Sequence, residues 1–153
     1  MSANHTAQKM FEEGMVEFVN HNYGQSIERL SQAIELDPEF TLAFKSRGAA
    51  YLRLDRAGEA IADFSSVVEL KPGNARAFHL RGLAYEKTGD VARAYRDFDR
   101  AIEIDPDLAA AYRSRDSVLD KKVDDRREIE DFDLADHLAA MRVALLTGEK
   151  VAA

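Results

Sequence analysis

The chain of 153 residues contains no cysteine, and its prolines are limited to Pro38, Pro72 and Pro106. Without cysteine there can be no disulfide, thiolate zinc site, iron–sulfur cluster or cysteine nucleophile. No apolar stretch reaches membrane-spanning length; the segment from Leu138 to Leu146 is too short and carries Arg142. The N-terminus has neither a basic region nor an apolar run, so no secretory signal is expected. The expectation is a soluble, cytoplasmic protein. HExxH, P-loop, GxSxG and glycine-rich dinucleotide motifs are all missing, and His5, His21, His79 and His137 stand at no metal-ligand spacing. Neither catalysis nor a metal or cofactor is therefore expected. The net charge of −7 argues against nucleic acid, whose phosphates need a basic stripe. Sustained alternation of apolar and polar residues is also lacking, which leaves helices as the building element.

What the chain does contain is a period. Gly14, Gly48 and Gly82 lie 34 residues apart, and Tyr51 and Tyr85 keep the same spacing. So do Ser26, Ala60 and Ala94; Leu30, Phe64, Phe98 and Phe132; Ala33, Val67, Ala101 and Ala135; and the three prolines. One period shared by independent positions is the mark of a helical repeat array.

These residues resemble the tetratricopeptide repeat, a helix pair with an aromatic, Gly, Tyr, Ala, Phe, Ala and Pro at fixed offsets. The second repeat supplies Phe44, Gly48, Tyr51, Ala60, Phe64, Val67 and Pro72, and the third Phe78, Gly82, Tyr85, Ala94, Phe98, Ala101 and Pro106. The first is looser, with Met10, Gly14, Ser26, Leu30, Ala33 and Pro38, and Glu17 in place of Tyr. A fourth keeps Tyr112, Phe132 and Ala135 but has Asp116 for the glycine, Leu119 for Tyr, Glu128 for Ala and Ala140 for Pro. The resemblance implies an all-α, right-handed solenoid of antiparallel helix pairs. Its expected divisions are a tail (1–6), repeats at 7–40, 41–74 and 75–108, a degenerate capping repeat with a long last helix (109–147), and a tail (148–153).

Each recurring residue has a mechanical reading. A glycine inside the first helix (A) of a repeat costs about 1 kcal/mol against alanine, tolerable if the second helix (B) must approach closely. Ala60 and Ala94 are the small partners on B, and Phe64 and Phe98 fill volume between repeats. The prolines stop helix B. Gly24, Gly58 and Gly89 are expected in the turns from A to B.

The resemblance also implies a function: a non-enzymatic interaction module whose A helices line a concave groove. The family's groove offsets fall on Phe11, Met15 and Val19, then Lys45, Ala49, Leu52 and Arg53, then Arg76, His79, Leu80 and Leu83, then Arg113. That surface is apolar at one end and basic toward the other. It suits an extended or helical peptide of a protein partner, with apolar anchors and acidic companions. Chaperone-binding members grip a C-terminal carboxylate with Lys and Asn on the first A helix, Asn on the second, and Lys and Arg on the third. The matching residues here are Phe11 and Met15, Ser46, then Arg76 and Leu80, and a shift by one repeat does no better. That clamp is absent. A small bacterial secretion chaperone is the alternative. Residues 116–136 are rich in acid, either a solvating end or a docking face for a basic partner. Leu134, Leu138, Met141 and Leu145 form a second apolar stripe on the last helix, from which a homodimer is expected.

Overall fold

The computed structural model describes residues 2–121. Among these are seven helices: α1 (Ala3–Val19), α2 (Tyr23–Leu36), α3 (Thr41–Arg53), α4 (Ala57–Leu70), α5 (Ala75–Lys87), α6 (Val91–Ile104) and α7 (Ala109–Lys121). Odd-numbered helices are the A helices and even-numbered ones the B helices. The all-helical, solenoidal architecture is the one the 34-residue period implies. The stripe Leu134, Leu138, Met141 and Leu145, and the acidic run beyond Lys121, lie outside the described residues.

Helix ends follow local chemistry. α1 starts at Ala3, inside the segment expected as a tail, because the Ser2 side chain accepts a hydrogen bond from the His5 N–H at 3.3 Å. Asn74 and Asp90 cap α5 and α6 in the same way. Helices α2, α4 and α6 end one residue before Asp37, Lys71 and Asp105, and each of these precedes a proline that holds it out of the helical region.

The A-to-B turns differ from the expectation at two glycines. Gly24 and Gly58 are the second residues of α2 and α4, with open space around them. The left-handed turn position belongs to His21 (φ 62°), Asp55 (φ 59°) and Gly89 (φ 84°), which again stand 34 apart. A side chain in that region costs roughly 1–2 kcal/mol, so Gly89 is the relaxed member and the other two carry strain. Gly89→Ala should therefore lose about 1 kcal/mol in a urea melt, and Asp55→Gly should lose none. An alanine variant as stable as the parent would show that the turn does not need this φ.

The mid-helix glycines work as a close-approach device. A Cβ on Gly48 would stand 2.7 Å from the Phe64 ring, one on Gly82 2.5 Å from the Phe98 ring, and one on Gly14 2.8 Å from Leu30. Phe64, Phe98 and Leu30 are fully buried, each seated over the glycine of its own repeat. Phe64 also joins Ala84 and Leu80 of the next repeat in one apolar cluster, so it bridges repeats as expected. Ser26 replaces alanine in the first repeat without leaving a buried group unsatisfied: its hydroxyl donates to the Gly14 carbonyl at 2.8 Å.

A second periodic device runs beside the first. Arg47 of α3 donates two hydrogen bonds to Asp63 of α4, at 2.8 and 2.7 Å, and a third to Ser31 of α2 at 3.0 Å. Arg81 of α5 repeats this with Asp97 of α6 at 2.7 and 2.8 Å and with Ser65 of α4 at 3.3 Å. Each arginine thus ties its own helix pair together and stitches it to the preceding B helix. The guanidinium groups lie near Phe44 and Tyr51, and near Phe78 and Tyr85, which adds cation–π attraction. The hydrogen bonds each arginine donates to its carboxylate hold the guanidinium proton more tightly than usual; burial pushes the Asp63 and Asp97 carboxyls up, against the pull of Arg47 and Arg81. In the first repeat the same two positions carry reversed charges, Glu13 and Arg29, 3.5 Å apart and largely solvated. In α7, Arg115 reaches Asp99 at 3.0 Å and its Nε has no hydrogen-bond partner.

Candidate functional site

Curvature follows from which helices meet. α1 touches α3, α3 touches α5 and α5 touches α7, whereas among the described residues no B helix touches another. The A helices are the crowded inner layer and the B helices the splayed outer one. The inner face is therefore a groove lined by α1, α3, α5 and α7.

The 34-residue period arranges that face in columns. One holds Phe11, Lys45, His79 and Arg113; a neighbouring one holds Met15, Ala49 and Leu83; a third holds Val19, Arg53 and Lys87. The expected residues do fall on successive A helices, but they are not equally available. Phe11 packs on Phe40 with ring centroids 5.0 Å apart, within the cluster around Leu30. Leu52 and Leu80 lean on the cluster of Ala60 and Phe64, and Leu83 on that of Phe98 and Val118. These four are half-buried and form the floor of the groove. Met15, Lys45, Ala49 and His79 are also half-buried, while Arg53, Arg76 and Arg113 are exposed. The open apolar surface is concentrated toward the first repeats, at Val19 (70% exposed) and Leu42 (51% exposed). Val16 and Leu54 are exposed as well, although Ala50 and Ala84, one and two periods after Val16, are buried.

Two sets of cations stand out among the described residues, beside the exposed Lys9 and Lys71, which form no ion pair there either. Arg29, Arg47, Arg56, Arg81, Arg93, Arg100 and Arg115 each hold a carboxylate. Lys45, Arg53, Arg76, Lys87 and Arg113, all on A helices, form no ion pair within the described part of the chain. Sequence reasoning could not separate the two. The signal for the paired set was nevertheless present: Arg47, Arg81 and Arg115, like Asp63 and Asp97, obey the same period.

His79 joins two A helices. Its Nε2 lies 2.9 Å from the Ser114 hydroxyl of α7, and its ring meets Phe98 of α6 at 5.5 Å between centroids. Burial lowers its pKa from the usual 6.5, and the Arg113 cation lowers it further. Among the described residues no cluster of His, Asp and Glu is arranged to hold a metal ion, and no helix is long and apolar enough to cross a membrane.

Sequence profiles of the tetratricopeptide repeat match residues 11–75 and 75–108. The chain belongs to the tetratricopeptide repeat family. Among curated sequences nothing matches. Among solved structures, the TPR domain of Arabidopsis OM64 superposes with a TM-score of 0.75 at 21% identity, covering 78% of this chain and 99% of that one. The first TPR domain of Spaghetti (RPAP3), bound to the HSP90 peptide SRMEEVD, gives 0.73 at 23% identity, covering 75% and 91%. YrrB, a TPR protein with an unusual peptide-binding site, gives 0.70 at 26% identity, covering 72% and 57%. At this distance the likeness to the first two is one of fold.

Proposed function

We propose that this protein is a non-enzymatic interaction module whose groove binds a peptide segment of another protein, apolar toward the first repeats and acidic toward the third and fourth. One observation carries the reading. In a chain of net charge −7, Lys45, Arg53, Arg76, Lys87 and Arg113 on the A helices have no carboxylate partner among the described residues, whereas Arg47 and Arg81 are each held by a buried aspartate. Unpaired cations on successive A helices favour a ligand of opposite sign. Val19, Leu42 and Met15 offer the apolar contact at the other end. A domain of the same fold that binds a peptide, the first TPR domain of RPAP3 with its HSP90 peptide, supports a peptide as the ligand class. The recognition differs from a carboxylate clamp, because Phe11, Met15, Ser46 and Leu80 cannot supply its amides and lysines.

Selection from a displayed peptide library against the full chain tests the proposal. Peptides with leucine or phenylalanine anchors followed by Asp and Glu should be enriched, and their affinity should fall with salt, since the screening length is about 8 Å at physiological strength. Exposed ion pairs contribute about 0.2–1 kcal/mol each, so the triple change Arg53→Glu, Arg76→Glu, Arg113→Glu should weaken binding roughly tenfold or more. Enrichment of neutral or basic peptides, indifferent to salt and to the triple change, would sink the acidic-ligand reading.

A further inference from the structure

We infer that the groove seats a ligand carboxylate beside His79 and Arg113, and that His79 takes up a proton as this carboxylate binds. The inference rests on the groove reading above and adds to it the ligand group, its place and its dependence on pH.

The geometry leaves His79 one free nitrogen. Nε2 is held by Ser114, while among the described residues Nδ1 has no hydrogen bond and the ring has no other polar partner. Phe98 from α6 and Ser114 from α7 fix the ring on two sides, so it cannot turn away without losing both contacts. Protonation makes both ring nitrogens donors: Nε2–H donates to the Ser114 hydroxyl, and Nδ1–H becomes available to an acceptor. In the free protein this state is disfavoured. The Arg113 cation from α7 acts on the ring, its α6 contact Phe98 is uncharged, and the charged side chain in the same column of α3, Lys45, is a cation too. No described carboxylate offsets them. A ligand carboxylate placed between Arg113 and His79 reverses the balance, because it screens Arg113 and accepts from the imidazolium.

The sign is fixed by linkage. A group whose pKa rises on binding draws a proton from solution, so affinity increases as pH falls through the bound-state pKa, and the increase is complete below the free-state value. The ligand's glutamates titrate near about 4.3, so the pH dependence is read above that value, where they stay charged.

The test uses the full chain and a capped peptide with leucines at one end and glutamates at the other. The ring signals of His79 are followed by NMR across pH, with and without saturating peptide, and circular dichroism confirms the fold at each pH. The His79 midpoint should rise by about one pH unit on binding, and affinity should rise by up to about tenfold between neutral and mildly acidic pH. His79→Gln should flatten the pH dependence of affinity, and Arg113→Gln should raise the His79 midpoint of the free protein. A peptide that binds without moving the His79 midpoint overturns this inference and leaves the groove reading standing. A peptide that fails to bind at every pH overturns both.

Discussion

Gly82→Leu should be among the most damaging single substitutions in the array. The first carbon of the new side chain would stand 2.5 Å from the Phe98 ring and 3.1 Å from the Ala94 carbonyl oxygen, and neither can withdraw: Phe98 is fully buried and the carbonyl is helix backbone. Forcing methylenes into such a contact costs typically 1–3 kcal/mol, and here about 3 kcal/mol is expected. For a chain of this size that lowers the melting temperature by roughly 10 °C. Hydrogen exchange should quicken first in α5 and α6, the pair being pried apart. Gly58→Ala supplies the contrast. It is also a helical glycine, but nothing lies within 4 Å of its missing Cβ. Alanine there should stabilise by about 0.4–1 kcal/mol. Two glycines ten residues apart, Gly48 and Gly58, should thus respond to alanine with opposite signs. Calorimetry showing the same sign for both would contradict the close-approach account.

Asp97→Ala should cost about as much or more. Its carboxylate is 7% exposed and accepts two hydrogen bonds from Arg81, itself 19% exposed. Removing one partner of a buried pair leaves the other charge desolvated and unpaired, which costs about 3–5 kcal/mol. The loss should reach beyond the third repeat, because Arg81 also holds Ser65 of the preceding B helix. Replacing both partners, Arg81→Met with Asp97→Leu, should recover much of the stability, since apolar residues of similar volume substitute well for buried pairs. In the first repeat, Glu13→Ala should cost at most about 1 kcal/mol, because its partner Arg29 is 45% exposed. Equal losses for Asp97→Ala and Glu13→Ala in urea melts would show that burial of the pair is not what matters.

How far the sequence reached depends on what each residue was asked to decide. The 34-residue period determined the repeat unit, the helix pairs, the close-packed glycines and the prolines that end each B helix, because packing one helix pair on the next allows few residue types at those positions. It also determined which residues share a column on the A helices, since a fixed offset on helices of the same register means a fixed face. Tertiary structure decided the rest. Phe11, Leu52, Leu80 and Leu83 carry the right offsets for the groove, yet half of each is spent on the core beneath it. Gly24 and Gly58 look like turn residues, yet the left-handed position three residues earlier is held by His21 and Asp55. Arg47, Arg53, Arg76, Arg81 and Arg113 are all arginines on A helices; the period shared by Arg47 and Arg81 with Asp63 and Asp97 marks the bound ones, but spacing does not show that the other three are open. That is a matter of distance to a carboxylate on another helix, and Arg47 and Arg81 find one within 2.8 Å while the other three do not. A repeat in sequence sets the direction in which a side chain leaves its helix; the packing of neighbouring helices sets what it meets there.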